Sequence, residues 1–86
     1  MVTYSIRGHI YEIIAKFFDK EIKDVRDVDT MKILGAGDVY LLEELVYIFE
    51  DAFGIKFRAN EEIAHSMTVD NIIEFILKRK ARLKNR

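Results

Sequence analysis

The stretch LGAGDVYLLEELVYIFEDAFGIKF, Leu34 to Phe57, decides how the chain is read. From Asp38 to Phe53 it carries five carboxylates and no Lys or Arg, beside more apolar side chains than one buried face needs. Asp38 suits a helix N-cap, because its carboxylate can accept the orphan amides of the first turn. Gly54 supplies the left-handed residue on which helices end. A helix over about 38–53 follows, the second of the chain. On a wheel of about 100° per residue, Val39, Leu42, Leu45, Val46, Phe49 and Phe53 cluster as its core face. Glu43 and Glu50 flank one edge, Tyr40 and Tyr47 lie beside them, and Glu44 and Asp51 follow, each pair stacked along the axis. Like charges one turn apart cost about 0.2–0.5 kcal/mol each, so this face is not optimised for an isolated monomer. Two readings stay open: the tyrosines pack under a loop and the acids solubilise the surface, or tyrosine anchors framed by carboxylates meet a basic partner.

Outward from this segment the chain reads as helical. Ile6, Ile10, Ile13, Ile14 and Phe17 make the stripe of an amphipathic first helix from about Thr3 to Phe18. DKEIKDVRDVDTMKILGAG then forms a long loop with isolated apolar anchors at Ile22, Val25, Val28, Met31, Ile33 and Leu34, a length that is uncommon unless the loop packs as a unit. Asn60 can cap a short third helix bearing Glu61, Glu62 and Ile63. Thr68 can cap a fourth, with Val69, Ile72, Ile73 and Ile76 as its buried stripe and a Lys/Arg run that complements the negative end of its dipole.

Length and composition bound the rest. Eighty-six residues, half of them apolar, make one small domain with a modest core. Without Cys there is no disulfide framework and no Cys-based metal site or nucleophile. The N-terminus lacks a signal-peptide pattern and no apolar run approaches the roughly 20 residues of a membrane helix, so a cytoplasmic protein without a membrane span is expected. Lys78, Arg79, Lys80, Arg82, Lys84 and Arg86 concentrate six of fourteen bases at the C-terminus, leaving eight bases against fifteen acids, a balance of −7, in residues 1–77. An acidic body with a basic tail argues against nucleic-acid binding by the domain; the tail itself reads as the solvated end of the fourth helix, or as a contact for an anionic surface.

The arrangement resembles the acyl carrier protein family across nearly the whole chain. That family has a helix, a long loop, a Leu-Gly-x-Asp-Ser-Leu type motif opening an acidic second helix, an ending like Glu-Glu-x-Phe-Gly-Ile, a short third helix and a fourth that begins near Thr-Val. Here Leu34-Gly35-Ala36 precedes Asp38 with one extra glycine, Glu50-Asp51-Ala52-Phe53-Gly54-Ile55 ends the second helix, and Thr68-Val69 opens the fourth. In the family the Ser after the Asp carries phosphopantetheine as a phosphodiester, and acids of the second helix dock basic patches on partner enzymes. The position after Asp38 is Val39, which has no hydroxyl. The resemblance therefore implies a carrier homologue without the arm, keeping a docking or regulatory role in fatty-acid, polyketide or related thioester metabolism. Two alternatives are a working carrier whose Ser was replaced and an adaptor that binds through the basic C-terminus.

Other chemistry has little support. His9 and His65 fall on separate elements without a metal-ligand spacing, and adjacent His65 and Ser66 would not face each other. Gly35 and Gly37 lack the rest of a phosphate-binding loop. The expectation is an all-α, acyl-carrier-protein-like four-helix bundle over residues 1–81 with a long loop between helices one and two, and a frayed basic tail at 82–86. No catalytic residue, metal or cofactor is expected; phosphopantetheine would be expected only with Ser at position 39. The expected partner-binding residues are Asp38, Tyr40, Glu43, Glu44, Tyr47, Glu50 and Asp51, the partners being enzymes with basic docking patches. A monomer is expected, with a dimer through surplus apolar surface left open.

Overall fold

The computed structural model describes residues 5–35, 38–58 and 63–84, with residues 83 and 84 described by backbone alone. It is all-α. In order come α1 (Ile6–Phe17), a 3-10 turn (Ile22–Asp24), α2 (Met31–Leu34), α3 (Val39–Phe53) and α4 (Val69–Lys84). The chain forms no strand among the described residues, only an isolated antiparallel bridge between Thr30 and Thr68.

Each long helix begins on a side-chain cap. Ser5 Oγ accepts from the Gly8 amide at 3.0 Å, so α1 starts at Ile6; Thr3, where the sequence pattern began it, lies outside the described residues. Asp38 Oδ1 accepts from the Tyr40 amide at 2.8 Å, the cap anticipated from the sequence. At α4 the cap is reciprocal: Thr68 Oγ1 accepts from the Asn71 amide and Asn71 Oδ1 accepts from the Thr68 amide, both at 3.1 Å. Gly54 ends α3 in the left-handed region at φ 65°, as its sequence position implied. Asp19 takes the corresponding left-handed position after α1, where the Lys20 amide reaches Ala15 O and the Asp19 amide reaches Lys16 O, closing the helix without a glycine.

The core joins Ile10, Ile14 and Ala15 of α1, Leu42, Leu45, Phe49 and Phe53 of α3, and Val69, Ile72, Ile73 and Ile76 of α4. The α4 stripe read from the sequence is buried in full, and Val46 packs half-buried at the margin. Val39 departs from the expected core face at 52% exposure. Side chains on a helix tilt towards its N-terminus, so the first helical residue projects past the end of the packed layer.

The segment from Asp19 to Gly35 is more ordered than a loop with scattered anchors. Val25, Met31 and Leu34 enter the core. The backbone is stitched to the approach of α4: the Met31 amide donates to Met67 O, the Lys32 amide to His65 O, the Val69 amide to Asp29 O and the Asp70 amide to Asp27 O, at 3.0–3.1 Å. The Arg7 guanidinium of α1 adds ion pairs to Asp27 (2.9 Å) and Asp70 (3.4 Å). Ile22, Val28 and Ile33, also expected as anchors, are exposed. The expected third helix around Asn60, Glu61 and Glu62 lies outside the described residues, and Ile63 beside it is buried. Helix α4 runs to Lys84, past the Ala81 at which fraying was expected. No helix among the described residues is long and apolar enough to cross a membrane.

Phe49 and Val39 separate the two faces of α3 experimentally. Phe49→Ala should lower the unfolding free energy by about 3–5 kcal/mol, enough to leave a small domain mostly unfolded, whereas Val39→Ser should change it by less than about 0.5 kcal/mol. Urea titration followed by far-ultraviolet circular dichroism measures both.

Candidate functional site

The outward face of α3 carries a distinctive acid and tyrosine stripe. Tyr40 and Tyr47 are 74% and 67% exposed, so they do not pack beneath the 19–35 connection. Glu43 borders them on one side and Glu44 with Asp51 on the other, all exposed. By helical geometry this acid and tyrosine stripe spans an arc of about 100°. Among the described residues, Glu43, Glu44 and Asp51 enter none of the ion pairs, which join Arg7 to Asp27 and Asp70, Lys23 to Glu21, and Lys78 to Glu74. Two large amphipathic rings thus stand in solvent within an uncompensated acidic border. Such rings offer contact area with few rotatable bonds, the usual chemistry of an interface anchor.

Two residues expected on this face have structural duties. Asp38 caps the helix through Oδ1. Glu50 is half-buried, and its Oε2 accepts from the Phe57 amide at 2.8 Å, seven residues on. This bond folds the chain back after Gly54, bringing Ile55 into the core and Phe57 against the Phe75 ring at a centroid distance of 4.8 Å. The basic run of α4 closes the same corner. Lys80 Nζ donates to Phe53 O at 3.1 Å, Arg79 donates to Lys56 O, and the Arg79 guanidinium lies over the Phe75 ring at 5.1 Å. A cation on the last carbonyls of α3 also complements its negative dipole end.

A second feature was not anticipated from the sequence. An open groove of about 490 Å³ runs between α1 and α3, with Ile13, Phe17 and Ile48 half-buried along it and His9, Glu12 and Lys16 completing the lining. His9, Glu12, Ile13, Lys16 and Phe17 share one face of α1 through steps of three and four residues. His9 is held half-buried with its ring edge-on to Phe53 at 5.2 Å. The available signal was Ile48, an apolar residue at the boundary between the core stripe and the Glu44 edge of α3. His9 and His65 lie on separate elements, and no group of three or more metal-ligating side chains converges among the described residues.

Removing the Glu50 carboxylate tests its structural assignment. Glu50→Ala should cost about 1–3 kcal/mol, because a half-buried amide loses a charged acceptor, whereas Glu43→Ala and Glu44→Ala should each stay within about 0.5 kcal/mol. Thermal or urea unfolding of the three variants reads the difference.

Compared with known proteins, the chain matches no family model, no curated protein and no solved structure.

Proposed function

We propose that the chain is a carrier-protein-like docking domain, built as the helical bundle of acyl carrier proteins and working without a covalent arm. It presents α3 to enzymes of fatty-acid, polyketide or related thioester metabolism. The observation that carries this reading is the outward face of α3, where Tyr40 and Tyr47 stand exposed between acids that have no ion-pair partner among the described residues. In support, Asp38 caps the helix at the place where the family's motif has its Asp, and the residue after it, Val39, is half-exposed at the helix start. An arm attached at such a position would leave the protein without crossing the core. Valine offers no oxygen for the phosphodiester, so docking proceeds without cargo, and the role is regulatory or competitive rather than that of a shuttle.

Roles on the face divide by chemistry. Glu43, Glu44 and Asp51 steer a basic partner towards the helix, and Tyr40 with Tyr47 supplies the area that becomes buried. Asp38 and Glu50 act chiefly by holding the face in place, through their bonds to the Tyr40 and Phe57 amides. The alternative of an adaptor working through its whole basic C-terminus is weakened by Arg79 and Lys80, each of which already gives a donor to the fold, at Lys56 O and Phe53 O respectively.

Incubation with coenzyme A and a broad-specificity phosphopantetheinyl transferase, followed by intact-mass measurement, tests the proposal. The parent protein should gain no phosphopantetheine and Val39→Ser should gain one. An increment on the parent would overturn the loss of the arm. Absence of an increment on a folded Val39→Ser protein would remove the carrier reading itself.

A further inference from the structure

The two ends of the charge distribution sit on separate exposed helix faces that match each other. On α3, Tyr40 and Tyr47 are framed by Glu43, Glu44 and Asp51. On the last turns of α4, Leu77 is 42% exposed and lies with Ala81 beside Lys78 and Arg82, all solvent-facing, within an arc of about 140°. The α3 strip is bordered by acids alone, whereas the α4 strip runs beside Lys78 and Arg82 with Glu74 one turn earlier on the same side, so that face becomes positive towards its C-terminal end.

The two faces do not meet within one chain. Lys80 fastens the basic end of α4 to Phe53 O at the C-terminal end of α3, and Arg79 fastens it to Lys56 O in the segment that follows. Lys78 faces out and, among the described residues, pairs only with Glu74 of its own helix, at 4.0 Å. No ion pair joins Lys78 or Arg82 to Glu43, Glu44 or Asp51 among the described residues. Lys84 and Arg86 add positive charge further along the sequence.

We propose that the acid and tyrosine face of α3 docks the basic C-terminal end of α4 from a second copy of this chain. The contact goes beyond the carrier reading and does not require it, since it rests on charge complementarity between two faces of the same molecule. Because the surfaces are unlike, the contact is heterologous: it closes into a dimer where both copies use both faces, and extends into longer chains where they do not. Exposed ion pairs contribute little singly, so apolar burial of Tyr40, Tyr47 and Leu77 holds the contact while the charges set its orientation and salt dependence. Self-docking covers the face that would meet any other basic partner, so that face becomes less available as the protein concentration rises.

Sedimentation equilibrium of the full chain over a range of concentrations, at low and high ionic strength, tests the contact. The weight-average mass should rise above the monomer with concentration at low salt and fall back at high salt, where the screening length shrinks to a few ångströms. Glu44→Lys with Asp51→Lys, or Lys78→Glu with Arg82→Glu, should each weaken self-association about tenfold or more. An equimolar mixture of the two charge-reversed proteins should restore it, because each then offers the complement of the other. Circular dichroism of each variant confirms the fold, and the salt and concentration series on the parent needs no variant. A parent protein monomeric at every concentration and salt would overturn the proposal, as would association that neither charge reversal weakens.

Discussion

A backbone that crosses a helical core must find acceptors for its amides, and the segment between α1 and α3 meets that requirement by pairing with the approach to α4. The bonds from Met31 to Met67 and from Val69 to Asp29, on either side of the Thr30 and Thr68 bridge, hold two non-helical pieces of chain together. Side-chain burial depends on this seam. Val25, Met31 and Leu34 reach the core only because the backbone that carries them is anchored, and the α4 stripe is covered on that side by the same segment. The Arg7 ion pairs to Asp27 and Asp70 mark the seam from α1, but they are half-exposed and add little beside the backbone bonds and the apolar burial.

With its inner side engaged and its ends capped, α3 can carry a face that contributes nothing to its own stability. Leu45 and Phe49 are fully buried, and Asp38 and Gly54 terminate the helix by side-chain and left-handed geometry respectively. The C-terminal corner is reinforced by Glu50 from within α3 and by Arg79 and Lys80 from α4. These local bonds compensate for like charges crowded on the outer face. They also divide the basic run of α4 by function, because Arg79 and Lys80 act inward on the fold while Lys78 and Arg82 stay in solvent.

Local chemistry makes parts of this fold legible in the sequence. The limits of α3 followed from Asp38 and Gly54, the start of α4 from Thr68, and the buried stripe of α4 from the spacing of Val69, Ile72, Ile73 and Ile76. What escaped was non-local. Nothing in the composition of residues 19–35 announces that Thr30 will pair with Thr68, since an isolated bridge has no periodicity. Met31 to Leu34 is also too short to produce a helical pattern of its own. The wheel put Val39 in the core because it treats a helix as endless, whereas the first turn projects beyond the packed layer. Glu50 was read as a free surface acid because its acceptor role depends on how the chain turns after Gly54. The groove between α1 and α3 depends on the separation of two helices, which neither sequence stripe encodes alone.

On α3 the side chains that stabilise the fold and the exposed acid and tyrosine stripe occupy opposite sides of a single helix. Burying Tyr40 and Tyr47 within the molecule would require removing the surrounding acids from water without partners, a cost that grows with the degree of desolvation. Leaving them exposed avoids that cost but presents apolar rings to solvent. A partner with opposite charge resolves both conditions together, because the rings lose water only when the carboxylates gain cations. The acids therefore select what may cover the tyrosines: an apolar surface with no positive rim would leave Glu43, Glu44 and Asp51 desolvated or unpaired and would bind poorly. That selectivity applies equally to the two proposed occupants, an enzyme or α4 of another copy, since either would have to bring the same two properties, an apolar strip and a basic border.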